Sequence, residues 1–423
     1  MSVRQLHARG PEHSAPQRGA ALIVLLALVA IVGVALVLQV GYAAADRTDR
    51  DKKTALALGQ ARDALVARAA MDANRPGSLP CPDINNDGIA DGVAGNCTAY
   101  VGRLPWSTLK LPDLRDGSGE RLWYALSTNF RDNPTGGPIN SDTSGTLTVT
   151  GSAPANGVIA IVFAPGDPVG TQVRDSANEN NIANYLEGEN ANGDTTYSNA
   201  PVSDTFNDRL LVITPNDLMP AVERRVAREA KVCLDAFSKQ AGANNRYPWA
   251  APVTDVIAFA DASGTTFGRI PISLTNTRTD LSDPTLIWPN LVNVATPCFQ
   301  TGSWWDYWRE LLFYQVSNAY EPGLGPPGAC PANCLTVNGV GSVVALAIVA
   351  GRTISASPDQ STRPSLKSLA ANYLETDPAT GINNAIGYST GNYVRAPVAP
   401  NAATQFNDKL ECLHITQAWP CGS

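Results

Sequence analysis

The sequence predicts an α+β fold. A long N-terminal transmembrane helix continues into a tandem repeat of two domains, each a helix followed by a small antiparallel sheet. Three observations lead to this prediction. An apolar run over residues 20–42 leads without a break into an amphipathic segment that ends near Met71. Short motifs between residues 102 and 210 return in the same order between residues 268 and 410. Each series also contains a short apolar run rich in β-branched residues, which is typical of a buried strand.

The apolar run is the first element. Residues 20–40 contain no charged side chain, and about 20 apolar residues in a helix cross the ~30 Å core of a bilayer. The residues that follow are first charged and then amphipathic. Leu58, Ala61, Leu65 and Ala69 have the three- and four-residue spacing of one helix face. We therefore expect one helix, transmembrane over 20–42 and in water over its second part.

The segment in front of this helix is a polar leader, residues 1–19, which carries three arginines and ends at Arg18-Gly19. A secretory signal peptide has a shorter apolar core, of about 7–15 residues. A basic leader that ends in Gly directly before an apolar helix resembles the prepilin class, the precursors of type IV pilins and type II secretion pseudopilins. The resemblance implies that a prepilin peptidase cleaves between Gly19 and Ala20 and methylates the new N-terminus. A plain signal anchor that keeps its leader is the alternative.

One position departs from the family. The fifth residue after the implied cleavage site is Val24, where most members have Glu. The resemblance therefore implies a minor or tip-like subunit. It also implies other pilin or pseudopilin subunits and inner membrane lipid as partners. The location implied is a single-pass inner membrane protein, with its C-terminal domains in the periplasm or at the cell surface in a filament.

The repeated motifs define two domains, residues 43–214 and 215–423. A second helix is predicted over residues 220–240, where apolar residues recur on one side. Residues 157–163 and 343–349 predict buried strands. The paired motifs are 102–105 and 268–271, 116–130 and 306–320, 157–163 and 343–349, 183–187 and 371–375, and 206–210 and 406–410. In the second pair, an Asp followed eight residues later by Tyr resembles a motif of the major pseudopilins.

Composition narrows the function classes. Removing the leader takes away three basic residues and one acidic residue, so the net charge changes from −7 to −9. An acidic chain without a basic patch is a poor candidate for nucleic acid binding. The eight cysteines all follow the apolar helix, which indicates an oxidising compartment. Cys330 and Cys334 have a spacing that also suits zinc, although no second Cys/His pair lies nearby. The disulfide candidates are Cys81, Cys97, Cys330, Cys334, Cys412 and Cys421.

The sharpest local motif is a candidate Ca²⁺ loop over residues 83–91. Oxygen ligands at positions 1, 3, 5, 7 and 9, with Gly88 at position 6, are typical of a calcium loop. Position 12, which is Glu in an EF-hand, is Ala94. An ordinary polar turn is the alternative interpretation. The candidate ligands are Asp83, Asn85, Asp87, the carbonyl of Ile89, and Asp91.

Evidence for catalysis is thin, so we do not predict an enzyme. Two of the three histidines fall in the leader, and the sequence contains no nucleophile elbow, Walker loop or zincin motif. We expect a structural minor pilin or pseudopilin-like subunit of a type IV pilus or type II secretion-like filament, assembled through its N-terminal helix. The alternative is a periplasmic or surface protein for binding or adhesion, held by a signal anchor.

Overall fold

The computed structural model describes residues 18–93, 96–133, 136–289, 298–330, 333–354, 360–396, 406–414 and 421. Within these ranges the fold is α+β. The helices are α1 (Arg18–Met71), α2 (Pro215–Ser238), α3 (Thr275–Asp280) and α4 (Gly387–Thr390). The strands of the first half are β1 (Gly92–Val93), β2 (Asn96–Cys97), β3 (Val101–Arg103), β4 (Trp123–Leu126), β5 (Leu147–Gly151), β6 (Ala155–Val158), β7 (Ala160–Ala164), β8 (Thr196–Asn199) and β9 (Arg209–Ile213). Those of the second half are β10 (Phe267–Arg269), β11 (Leu312–Val316), β12 (Leu335–Val337), β13 (Val340–Val349), β14 (Asn392–Tyr393) and β15 (Lys409–His414).

Helix α1 has 54 residues and is therefore ~81 Å long at 1.5 Å per residue. Its second part packs on the fold through the predicted face, because Leu58, Ala61, Leu65 and Ala69 are all buried. The helix ends where the Asp72 carboxylate accepts the backbone N–H groups of Asn74 and Arg75, at 3.0 and 2.8 Å. These bonds turn the chain away from the helix axis.

The predicted transmembrane helix over 20–42 is wrong. In the part of the chain that the structure describes, no helix is long and apolar enough to cross a membrane. The same finding overturns the single-pass inner membrane location.

Each half of the chain contains an antiparallel sheet, but the prediction of purely antiparallel sheets is wrong. In the first half, β3-β4-β7-β9 form one sheet and β6-β5-β8 form another, in which β5 and β8 are parallel. In the second half, β10-β11-β13-β12-β14 form one sheet, with β15 also paired to β13 and β12 parallel to β14. Long connections separate the parallel strands in sequence, which is what parallel pairing requires.

The motifs paired in sequence lie on corresponding strands. Gly102 in β3 lies opposite Tyr124 in β4, and Gly268 in β10 lies opposite Tyr314 in β11. The strand predicted over 157–163 is divided at Ile159 into β6 and β7, whereas β13 is continuous over ten residues. One strand of the second half therefore occupies the place of two in the first.

Helix α2 begins five residues earlier than predicted because its N-terminus is capped. Thr214 precedes Pro215, and the Thr214 N–H donates to the Asp217 carboxylate at 2.8 Å in a capping box. The helix packs against α1, and Arg62 of α1 forms an ion pair with Asp217 at 2.9 Å. The two helices thus lie together between the halves of the chain.

Candidate functional site

The longest run of exposed apolar side chains in the described structure is Leu22–Ala35 of α1, which we call the projecting segment. Its ten large apolar side chains, from Leu22 to Val34, are each between 55% and 68% exposed. Because they are consecutive residues of a helix, they face all directions rather than one side. Exposed apolar surface of this extent marks an interaction site.

The implied cleavage site lies at the start of the same helix. Gly19 and Ala20 belong to its first turn, since α1 begins at Arg18. Residues 1–17 of the leader lie outside the described residues. Val24, the position where the family has Glu, is 58% exposed among other apolar side chains. Cleavage at this point would place the new N-terminus directly at the projecting segment.

The loop over residues 83–91 is built around one buried carboxylate. Asp83 is 1% exposed. Its Oδ1 accepts the N–H groups of Asn85 and Asn86 at 3.1 and 2.7 Å, and its Oδ2 accepts that of Gly88 at 2.6 Å. Burial raises the pKa of Asp83, while the hydrogen bonds from these three N–H groups act in the opposite direction. Three charge-assisted hydrogen bonds therefore hold the loop in shape.

The other candidate ligands also accept backbone N–H groups. Asn85 Oδ1 accepts from Asp87 at 3.1 Å, Asp87 Oδ1 from Ile89 at 2.7 Å, and Asp91 Oδ2 from the N–H of Ile84 at 2.8 Å. Among the described residues, no group of three or more His, Cys, Asp or Glu side chains is arranged to hold a metal ion. Ala94 at position 12 lies outside them. Calcium binding by this loop stays a prediction.

Four disulfides link the eight cysteines. Cys81–Cys97 closes the loop just described, and the second and third bonds join Cys330 with Cys334 and Cys412 with Cys421. The zinc alternative for Cys330 and Cys334 is therefore wrong, since both sulfur atoms are bonded. The fourth bond, Cys233–Cys298, ties α2 to a point 65 residues further along the chain. Sequence reasoning left this pairing open.

Two buried arginines escaped sequence analysis, although the repeated Gly-Arg-x-Pro motif was a signal for them. Arg103 lies over the rings of Trp123 and Tyr185, with its guanidinium carbon 4.9 and 4.3 Å from their centroids. Arg269 lies over Phe313 and Tyr373 at 4.9 and 5.0 Å. Burial lowers the pKa of both arginines, and the aromatic faces compensate through cation–π attraction.

Two buried carboxyl pairs were also missed, Glu187 with Asp208 and Glu375 with Asp408. In each pair the Asp Oδ2 accepts the backbone N–H of the Glu, at 2.9 and 3.2 Å. Burial, followed by the charge of Glu187, raises the pKa of Asp208 to about 8. Burial and Glu375 likewise raise the pKa of Asp408 well above its ordinary value. The sequence signal was two motifs that occur in both halves. The motif at 183–187 and 371–375 ends in Glu, and the motif at 206–210 and 406–410 contains Asn-Asp.

These buried groups organise the fold rather than face a substrate. Asp208 is 2% and Asp408 1% exposed, so neither carboxyl pair opens to solvent. Comparisons of the chain with protein-family models, with curated proteins and with solved structures give no match. The function is therefore argued from the geometry of the projecting segment.

Proposed function

We propose that the chain is a structural, minor subunit of a pilus-like or pseudopilus-like filament that assembles through α1. The observation that carries this proposal is the projecting segment, whose large apolar side chains are exposed on every side of the helix. Full burial of one Leu, Val or Ile side chain contributes about 1.5–3 kcal/mol. Packing against the corresponding helices of other subunits would bury these side chains together.

The base of the projecting helix is fixed to the first sheet, which suits a rigid assembly element. Arg50 of α1 pairs with Asp167 at 2.6 Å, and Asp51 pairs with Arg209 of β9 at 2.8 Å. Gly117 permits a close approach, because a Cβ atom there would lie 2.3 Å from the Arg50 carbonyl oxygen. The direction in which α1 leaves the fold is therefore set by contacts on two sides.

Val24 supports the minor or tip-like position. A carboxylate at this point of an apolar helix bundle would need a cationic partner from the next subunit, because burying an unpaired charge is costly. Val24 creates no such demand. A subunit with Val24 therefore fits a position in the filament that has no subunit ahead of it.

Processing and assembly can be tested together by intact mass. We expect the chain from sheared filaments to lack residues 1–19 and to carry a methylated N-terminus in cells that have the prepilin peptidase. Gly19→Asp should block cleavage and remove the chain from the filament fraction, because the peptidase requires Gly before the scissile bond. Gly10→Asp, within the leader but away from the bond, is the matched control. Unchanged mass and sedimentation of Gly19→Asp would refute the proposal.

A further inference from the structure

A cavity of about 670 Å³ lies at the edge of the first sheet, beside β3. Its apolar lining belongs mainly to the cluster that contains Trp123 and Tyr197, which is separate from the cluster around α1. Polar and charged residues also line the cavity, among them Asp83, Arg103 and the exposed Asp194. The apolar lining includes Tyr100, Val101, Trp123, Leu147, Ile182 and Tyr197.

The corresponding place in the second half holds aromatic rings of the chain itself. Val101 of β3 lies opposite Ala125, and its counterpart Phe267 of β10 lies opposite Gln315. The Phe267 ring stacks on Tyr388, with centroids 5.1 Å apart and planes at 22°. The same ring stacks on Phe313, at 6.2 Å and 26°. The rings of Phe267 and Tyr388 and the amide of Gln315 thus occupy the place where the first half has Val101, Ala125 and the cavity.

A difference in loop length explains why only the second half brings a ring to this place. Asn190 and Asn384 are matched, since each donates to the buried Asp of its half at 2.9 Å. Tyr197 and Tyr393 are matched by their places on β8 and β14. Six residues separate the first Asn from its Tyr and eight separate the second. The longer loop forms α4, which carries Tyr388 over Phe267.

We propose that the cavity of the first half binds a planar aromatic ring of a ligand, in the place that Phe267 and Tyr388 fill in the second half. The volume lies within the ~300–1,000 Å³ usual for ligand sites. Trp123 and Tyr197 line the cavity but are only 2% and 1% exposed, so the half-buried Tyr100 is the aromatic side chain available to a ligand ring. Aromatic rings favour offset or edge contacts with other rings. The ring belongs either to a free aromatic compound or to an aromatic side chain of a partner peptide. The proposal is independent of filament assembly.

Binding is tested on the full chain with 4-fluorophenol, followed by fluorine NMR. We expect wild type to broaden the probe signal in a saturable way. Val101→Phe, which introduces the residue found at the matched position, should abolish that binding. Tyr388→Ala should add a second site, because it removes the ring that covers Phe267. Unchanged circular dichroism of both variants confirms that they fold. No saturable broadening by wild type, or equal binding by Val101→Phe, would overturn the proposal.

Competition distinguishes the two sources of the ring. The peptide Ala-Thr-Tyr-Thr-Ala is compared with Ala-Thr-Ala-Thr-Ala as displacer of the bound probe. Displacement by the tyrosine peptide at tenfold lower concentration than free phenol supports a partner side chain. Displacement at equal concentrations supports a free aromatic compound. Equal displacement by the two peptides would overturn the proposal, since the ring would then contribute nothing.

Discussion

Buried carboxyl groups in this chain are stabilised in two different ways. Asp83 stays in place because three backbone N–H groups converge on its oxygens. Asp208 instead lies beside Glu187, and burial with that neighbouring charge favours its protonated form. The sequence motif around Asp83 was recognisable because its oxygens are close together in the chain. The Asp208 pair was not, because its members are 21 residues apart.

The Asp83 loop yields a prediction about stability. Asp83→Ala leaves three N–H groups without their acceptor, so we expect a loss of about 2–4 kcal/mol in the free energy of unfolding. Urea denaturation in chelator measures this loss. The exposed Asp87 is the matched control, since its carboxylate accepts one N–H, and Asp87→Ala should cost less than 1 kcal/mol, or about one hydrogen bond. Equal stability of Asp83→Ala and wild type would contradict the role of these three hydrogen bonds in holding the loop.

The same variants test calcium. If the loop binds Ca²⁺, wild type gains about 2.7 kcal/mol when calcium is in hundredfold excess over its dissociation constant. We expect Asp87→Ala to lose this gain, because it removes a central ligand. Denaturation in millimolar Ca²⁺ and in chelator makes the comparison. Identical midpoints of wild type in the two buffers would leave the loop as a polar turn.

The Asp208 pair makes stability depend on pH. The folded chain holds a proton on Asp208 up to about pH 8, against an ordinary value of 3.8 in the unfolded chain. The stabilisation is complete below the ordinary value and is lost as pH rises through 8. We therefore expect the urea midpoint to fall between about pH 4 and pH 8 and to level off above pH 8, with a smaller fall in Asp208→Asn. Asp204→Asn, an exposed neighbour, should behave as wild type. Equal slopes for Asp208→Asn and wild type would exclude the pair as the cause.

At the scale of secondary structure, sequence patterns found the elements that carry their own signal. The buried face of α1 was predicted correctly, as was the core of α2, because helical spacing is local information. The parallel pairs β5–β8 and β12–β14 were not predicted. Strand β14 has only two residues, too few to show a pattern. Its place is set instead by Asn384, which accepts the N–H of Val394 at 3.0 Å and donates to its carbonyl at 3.1 Å.

At the scale of the whole molecule, the two halves share one core. A continuous apolar cluster includes α1, α2 and strands of both main sheets. Polar contacts also cross between the halves through residues 140–142. Asn140 donates to the Tyr307 carbonyl at 2.8 Å, Ser141 to that of Ala350 at 3.0 Å, and Arg363 pairs with Asp142 at 2.8 Å. Sequence patterns could not predict this union, because each motif reports only on its own half.

The shared core predicts that the halves unfold together. Leu65 of α1 is fully buried within it, so Leu65→Ala should cost about 2–5 kcal/mol. Because the core is continuous, amide hydrogen exchange should accelerate by a similar factor in β4 of the first half and in β11 of the second. Leu56→Ala is the matched control on the same helix, since Leu56 is 67% exposed and surface substitutions usually change stability by less than about 0.5 kcal/mol. Hydrogen exchange measured by mass spectrometry reports both sheets in one experiment. Faster exchange in β4 with unchanged exchange in β11 would show that the halves unfold independently despite their contacts.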